Sequence, residues 1–335
     1  MNTLSDYDYD IPKELIAQEP LKNRSDARLL VVGDTIEHKH VHDLLFILEK
    51  DDVLVLNNSK VIPARLMGKK ETGGRIEVLL VTQQRKNVWT CFVKGRIKPN
   101  TKIVFEKGYG ILVLGQPYAI TLFGVSPQDI GCMPTPPYIK KLLKDPQQYN
   151  TVFAKEEGSV AAPTAGLHFT QELLEHLRQK GVKIVFVTLH IGPGTFLPVK
   201  SEDITKHVMH EEYYTIPEET ANTINARKKR LFVVGTTTLR ALESAIDEQG
   251  IVHATTGSTR LFVYPPYHWK LSFDALMTNF HVPKSTLLML VAAIMGRERL
   301  FEVYREAVKD CYRFFSFGDA MLVYQKHLFP PFTEG

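Results

Sequence analysis

Hydrophobic positions along the chain fall into two textures. Before about residue 65 and after about residue 134, apolar runs of strand length alternate with segments of helical period. Between them lie short segments in which apolar and polar residues alternate. In the first texture, residues 29–32, 52–56, 182–189 and 231–234 read as buried strands, because β-branched runs of that length without alternation suit strands covered on both faces. Val41, Leu44, Leu45 and Leu48 recur at helical spacing and predict a helix over 41–49. Leu173, Leu174 and Leu177 predict another, capped by Thr170 and stopped by Gly181. Helices are also expected over 239–248, after Gly235-Thr236-Thr237-Thr238, and over 287–295, capped by Ser285 or Thr286. Pro12 opens a capped turn near 14–18.

In the second texture, segments 75–82, 88–95, 101–106, 110–114 and 119–123 are separated by turn signals. These are Thr72-Gly73-Gly74, Lys98-Pro99-Asn100, Lys107-Gly108 and Gly115-Gln116-Pro117. That spacing is expected of a small antiparallel barrel or sandwich. The proline-rich segment 133–141 is a stiff return linker, since each proline fixes its own φ and restrains its predecessor.

Composition adds limits. A chain of 335 residues exceeds the size at which one core stops growing, so two domains are expected. Apolar content of 44% with 23% charge excludes a disordered or fibrous chain. The longest apolar candidate, 285–295, is bounded by Lys284 and Gly296 and is too short to span a bilayer. The acidic start is unlike a signal peptide, and a cytoplasmic protein is expected. Cys91, Cys132 and Cys311 have no metal-ligand spacing and are expected to be reduced. Charge is uneven: residues 69–107 hold ten Lys or Arg against three Glu, whereas the whole chain carries only +4. Such a patch suits a polyanion such as nucleic acid, with Lys94, Arg96 and Lys98 placed to meet phosphates; the alternative is a solvated barrel surface.

Candidate chemistry clusters at predicted strand ends, where open α/β sheets bind ligands. Asn58 and Arg65 follow the strand at 52–56. A loop of small residues, 158–170, carries Thr164 and His168 and buries too little apolar surface to order itself. His190 and Gly192-Pro193-Gly194-Thr195 follow the strand at 182–189, where the glycines serve either a ligand or a plain turn. His207, His210, Glu211 and Glu212 lie together, but two histidines four apart on a helix, the usual zinc pattern, are missing, and no metal is expected. The threonines after Gly235, with Arg240 nearby, form an anion site or a plain helix cap. Asn279, His281 and Lys284 precede the apolar helix, and Asp319 ends an aromatic stretch that is either core or a wall beside a cationic ligand.

In these residues the chain resembles the S-adenosylmethionine:tRNA ribosyltransferase-isomerases of queuosine biosynthesis. The resemblance rests on Glu14-Leu15-Ile16-Ala17-Gln18, Pro136-Pro137-Tyr138-Ile139 and the blocks 57–65, 72–74, 159–170, 189–199, 207–212, 235–244, 278–290 and 312–322, and it covers essentially the whole chain. Pro193, Pro266 and Gln148 depart from the family pattern. The resemblance implies an α/β domain with a mostly parallel sheet, residues 1–65 and 134–335, interrupted by an inserted small antiparallel β-barrel domain at 66–133. It implies transfer and isomerisation of the ribosyl part of S-adenosylmethionine onto 7-aminomethyl-7-deazaguanine at the tRNA wobble position, giving epoxyqueuosine-tRNA with loss of adenine and methionine. S-adenosylmethionine is then a consumed substrate, no separate cofactor is expected, and the partner is precursor-modified tRNA. A monomer is expected.

That reaction needs a base at the carbon beside the sulfonium, an acid for adenine and a neutral amine nucleophile. His168, His190, His210 and His281 are the candidates for proton transfer, with base and acid unassigned among them. Asp319 or Glu212 offsets the sulfonium; Thr164, Thr195 and Asn58 bond ribose or methionine groups; Arg65, Arg240, Asn279 and Lys284 complete the expected substrate contacts. Two rival functions are a non-catalytic tRNA-binding protein and an ordinary methyltransferase. The latter lacks its glycine-rich strand-to-helix loop with a downstream acidic residue.

Overall fold

The structure, a computed structural model, describes residues 3–98, 100–113, 115, 118–141, 143, 145–192, 199 and 201–325. After short 3-10 turns the chain forms β1 (Arg28–Val32) and β2 (Ile36–His40). The helix expected over 41–49 is shorter, a 3-10 turn followed by α1 (Leu44–Ile47), because the backbone is extended at Leu48. Next come β3 (Val53–Asn57), buried at every position, and β4 (Ser59–Val61). The alternating segment then supplies β5 (Arg65–Lys70), β6 (Arg75–Arg85), β7 (Val88–Lys94), β8 (Lys102–Val104), β9 (Tyr109–Val113) and β10 (Tyr118–Phe123). It ends with the one-turn α2 (Pro127–Ile130) and with β11 (Gly131–Cys132).

The remaining elements are β12 (Glu156–Ser159), α3 (Gln171–Gln179), β13 (Lys183–Leu189), β14 (Glu212–Ile216) and α4 (Glu218–Asn225). They continue with β15 (Leu231–Val234), α5 (Thr236–Ser244), β16 (Thr255–Thr259), β17 (Ala275–Asn279), α6 (Thr286–Met295), α7 (Arg297–Lys309) and β18 (Ala320–Tyr324). As expected, Thr170 caps α3 by accepting from Leu173 N at 3.1 Å, and Ser285 caps α6 by accepting from Leu288 N at 3.2 Å.

Nine strands form a mixed sheet in the order β16-β14-β13-β3-β15-β17-β18-β1-β2. The central run β13-β3-β15-β17 is parallel, as is the β18–β1 pair. The β17–β18 contact and the outer pairs are antiparallel. Side chains alternate across this sheet as the two-residue period of a strand requires. Val53, Val55, Leu231 and Val233 face α5, α6 and α7, whereas Leu54, Leu56, Phe232 and Val234 face α3. Burial on both faces explains why these strands read as unbroken apolar runs.

The inserted segment forms an antiparallel ring, β5-β6-β7-β10-β9-β8, closed by pairing of Lys69 with Val104 and Lys70 with Ile103. Ile76, Val78 and Leu80 of β6 point inward with Leu112 and Ile120. At the neck, Cys132 pairs with Arg65, so the insertion begins and ends on adjacent strands. A side chain at Gly131 would meet Pro63 O at 1.8 Å, which requires glycine there.

Asp319 secures the end of the sheet where β1 and β18 begin. Its carboxylate, 2% exposed, accepts Arg28 N at 3.0 Å on Oδ1 and Arg313 N at 2.8 Å on Oδ2, with Arg28 Nε 3.4 Å away. It thereby ties the start of β1 to the chain entering β18. Asparagine has one oxygen and one NH2, so either orientation sets a donor against a donor. Asp319→Asn is expected to cost about 1–3 kcal/mol, because a buried N–H loses its partner. Unfolding in urea measures this, and a change below about 0.5 kcal/mol, the range of ordinary surface substitutions, contradicts it.

Candidate active site

A cavity of about 190 Å³ lies at the carboxyl ends of β15 and β17. The 160–165 loop, the N-termini of α5 and α6, and Phe315 complete its wall. Four expected site residues line it: Thr164, Asn279, His281 and Lys284. His281 is 8% exposed, its Nε2 lies 2.9 Å from Thr278 Oγ1, and its backbone N donates to Tyr304 Oη at 2.8 Å. Burial lowers its pKa to about 3, so the imidazole is neutral at neutral pH. Lys284 reaches Asp8 with its Nζ at 2.6 Å, and that bond raises the ammonium pKa.

Asn279, at the end of β17, is 2% exposed. Its Nδ2 donates to His168 Nε2 at 3.1 Å and faces the carbonyls of Phe315 and Asp319 at 3.3 and 3.5 Å. Two carbonyl acceptors fix which end of the amide is NH2, and they leave Oδ1 buried with no hydrogen-bond partner. His168 must accept through Nε2, so its proton is on Nδ1. It lies behind Asn279 and outside the wall of this cavity. Burial, then the nearby Arg313 and Arg24, lower its pKa to about 3.

A larger cleft of about 850 Å³ separates the barrel from the sheet and meets the smaller cavity at Ile191, which lines both. The barrel contributes Trp89, Phe92 and Tyr118; the other wall carries His190, His210, Glu212 and Tyr213. His190 Nδ1 has no hydrogen-bond partner. Burial lowers the His190 pKa, and Glu156 opposes the shift. Glu212 is buried in an ion pair with Arg240 Nη1, and its Oε1 accepts Gly192 N at 3.1 Å. Arg240 also donates through Nε to Leu261 O at 2.9 Å.

The sequence model of the family described as "Queuosine biosynthesis protein" matches residues 4–323. The chain belongs to that family. It is 49% identical to the S-adenosylmethionine:tRNA ribosyltransferase-isomerase of Desulforamulus reducens and 49% identical to that of Staphylococcus haemolyticus, over 96% of this chain and 99% of each relative. A protein of the same description from a Sulfurihydrogenibium species is 50% identical over the same shares. The crystal structure of S-adenosylmethionine tRNA ribosyltransferase from Thermotoga maritima is similar with a TM-score of 0.54 at 38% identity, covering 95% of this chain and 99% of that one.

In this queuosine biosynthesis protein several expected site residues lie elsewhere. Asn58 is engaged at the sheet by Thr188 Oγ1 at 2.7 Å; the buried residue of the pair is Asn57, whose Nδ2 donates to Leu189 O at 3.0 Å and whose Oδ1 accepts Leu189 N at 3.1 Å. Asn57 is the last residue of a strand buried throughout, and that was the signal available in the sequence. Arg65 holds the barrel neck, donating to Thr135 O at 2.9 Å and pairing with Glu77 at 3.2 Å. Asp319 is buried, holds the backbone N–H groups of Arg28 and Arg313 and lines neither cavity, and Tyr312, Phe314 and Phe317 beside it are core; the structure gives it a backbone-holding role in place of the expected contact with a cationic ligand. His168 lines neither of these cavities and instead borders a small recess with Arg24, Arg313 and Phe317. Thr195 lies outside the described residues. Lys94, Arg96 and Lys98 are exposed at the end of β7 and just beyond it.

Among the described residues, the groups with metal-ligand geometry are His40, His42 and Asp43, and His38, Glu306 and Asp310. Both involve the edge strand β2 or its exit, with their histidines exposed; His207, His210 and Glu211 form no such group. No helix among the described residues is long and apolar enough to cross a membrane.

The two buried imidazoles make stability depend on pH. Their folded pKa values near 3 lie below the 6.5 of a free histidine, so the unfolded chain binds more protons. Their contribution is complete above pH 6.5 and is lost as pH falls toward 3. His168→Gln keeps an acceptor for Asn279 and does not titrate; it is expected to flatten the fall in unfolding free energy between pH 6.5 and 4. Equal steepness in the variant and the parent contradicts a neutral, buried His168.

Proposed function

We propose that the chain transfers and isomerises the ribosyl moiety of S-adenosylmethionine onto 7-aminomethyl-7-deazaguanine at the tRNA wobble position. The products are epoxyqueuosine-tRNA, adenine and methionine. The observation that carries this is identity of 49–50% across 96% of the chain with relatives that bear the name of that activity. The paired cavities support it. The reaction joins a small cationic metabolite to a nucleobase, and a small cavity opens beside a cleft of nucleotide size.

A base inside a folded stem-loop is reached only after it leaves its stack. The cleft offers Phe92, Tyr118 and Tyr213 as faces on which an extruded base or its neighbours can stack, with Trp89 largely buried in the barrel core. Lys94 lies two residues beyond Phe92 on β7, on the same outward face, and with Arg96 and Lys98 extends a cationic track toward the RNA backbone. His190 and His210 are the acid–base pair of this reading, because both open on the cleft in which base and ribosyl carbon must meet. His281 acts as a neutral hydrogen-bonding group, since an imidazole with a pKa near 3 is a poor proton acceptor at neutral pH. Glu212 is neutralised by Arg240 and shapes the cleft, which leaves little net charge to offset a sulfonium. No separate cofactor is required. The chain acts as a monomer in the cytoplasm on precursor-modified tRNA.

Release of adenine from S-adenosylmethionine in the presence of precursor tRNA tests the activity. His190→Asn and His210→Asn are each expected to lower that rate by about 10²-fold or more. Rates within a few-fold of the parent in both variants remove them from proton transfer. Replacing Lys94, Arg96 and Lys98 together by Ala is expected to reduce the salt slope of tRNA binding by about two to three units, close to one per phosphate contact. An unchanged slope moves the RNA track elsewhere.

A further inference from the structure

We propose that Gly158 is a positioning residue for the ribosyl transfer. Its missing side chain lets the His190 ring lie against the backbone of β12, which seals Nδ1 and leaves Nε2 as the one ring nitrogen able to exchange a proton with the cleft. This rests on the acid–base role proposed above for His190 and goes beyond it by naming the atom that acts and the residue that fixes it.

The first support is the contact itself. Gly158 and His190 both line the cleft of about 850 Å³. A Cβ on Gly158 would stand 3.1 Å from Nδ1, 3.1 Å from Cε1 and 3.5 Å from Cγ of His190. Carbon atoms pack best at about 3.5–4.0 Å, so a side chain at 158 would push the ring a few tenths of an ångström away from β12. The backbone there is equally demanding. Gly158 has φ of 138°, a region that residues with a side chain rarely adopt. β12 pairs Glu156 with Ser59, Glu157 with Lys60 and then Ser159 with Val61, so Gly158 is the extra residue of a bulge. Bulges leave one residue out of the ladder and re-aim what lies beside it.

The second support is how closely the rest of His190 is held. Its backbone N donates to Tyr213 O on β14 at 2.9 Å. On the other side, Ile191 N donates to Ser159 Oγ at 2.9 Å, and Ile191 O accepts Val160 N at 2.9 Å. With the chain pinned between β12 and β14, the side-chain torsions and the space at Gly158 decide where the imidazole lies. Placed there, Nδ1 has neither accessible surface nor a hydrogen-bond partner. Such a nitrogen meets neither substrate nor water, which excludes it from proton transfer. Nε2 is not closed off in this way.

The electrostatics agree with a ring sealed on one edge. Burial lowers the His190 pKa against the pull of Glu156 on β12. Across the cleft wall, β14 and the chain before it carry His210 and Glu212, and Glu212 is engaged by Arg240 and Gly192 N. Acid–base transfer needs one nitrogen within hydrogen-bond reach of the moving proton. Gly158 supplies that constraint by making the imidazole one-sided.

The test is adenine release from S-adenosylmethionine with precursor tRNA, followed against pH in the parent, Gly158→Ala, His190→Asn and the double variant. Gly158→Ala is expected to lower the rate about tenfold, since a misplacement of about 1 Å can cost about 10²-fold. It is expected to add no loss to His190→Asn, because asparagine sets no ring against the new methyl group. The limb of the pH profile that disappears in His190→Asn is expected below pH 6.5, the ordinary histidine value, in the parent. In Gly158→Ala it is expected to move up toward that value as water reaches the displaced ring. A Gly158→Ala rate equal to the parent's overturns the proposal, as does a loss that leaves the limb unmoved. A loss of the same size with and without the His190 ring marks a backbone effect and overturns it too. If Gly158→Ala does not fold, the parent decides: a His190-dependent limb at or above pH 6.5 shows a ring open to water on both edges and overturns the sealed Nδ1. Slow His190→Asn with an additive Gly158→Ala loss leaves the role of His190 standing and the positioning wrong. His190→Asn at the parent's rate removes both together.

Discussion

Two buried asparagines that flank β15 hold the carboxyl end of the parallel sheet together. Where parallel strands stop, their last carbonyl and amide groups leave the ladder and need other partners. Asn57, at the end of β3, serves both the amide and the carbonyl of Leu189 on β13, accepts Ser59 N at 3.0 Å and reaches Thr237 on α5. Asn279, at the end of β17, gathers His168 and the carbonyls of Phe315 and Asp319. Each amide joins segments far apart in sequence, and losing it would strand several buried groups at about 1–3 kcal/mol apiece. The start of α5 and the 160–168 and 313–319 loops are each tied to one of these two side chains.

Charge is distributed to match. Within the buried sheet end the imidazoles of His168 and His281 are neutral, and Glu212 meets Arg240 in an ion pair. A buried pair of that kind adds little net stability, since desolvation offsets most of the attraction, but breaking it leaves an uncompensated charge. Its structural effect is specific. Arg240 is on α5, Glu212 opens β14, and the same carboxylate receives Gly192 N, so the pair links a helix, the strand beside β13 and the segment leaving β13. A site low in fixed charge, with oriented dipoles at its wall, can bind a substrate that arrives cationic and leaves as neutral fragments without holding its products too tightly.

The barrel adds a second wall at little topological cost. Its first and last strands pair at Arg65 and Cys132, so the insertion closes on its own neck while the surrounding chain resumes within the sheet fold. β4 and β12, just outside that neck, pair in parallel with Ser59 opposite Glu156. The result brings rings from the barrel, Trp89 and Phe92, across a cleft from His190 and Tyr213. Neither wall alone encloses a nucleobase.

The sequence by itself determined the elements whose local pattern agreed with their final surroundings. Uniform apolar runs marked β1, β3, β13 and β15, Thr170 and Ser285 marked helix starts, and alternation with glycine-rich turns marked the barrel. The resembled blocks also pointed to the reaction and to Asn279 and His281 at one cavity. Other features needed the tertiary structure. α4 and α7 gave no clear signal because each is amphipathic over a short or heavily charged stretch and depends on the sheet for burial. Strand direction at β17–β18 is set by how the chain returns, which no local period encodes. Above all, only the fold decided that Asn57 rather than Asn58 lies in the sheet end, that Asp319 binds backbone amides, and that His168 stands behind Asn279. Those roles depend largely on partners that arrive from 111 to 291 residues away, and a side chain's chemistry is fixed by its partners as much as by its type.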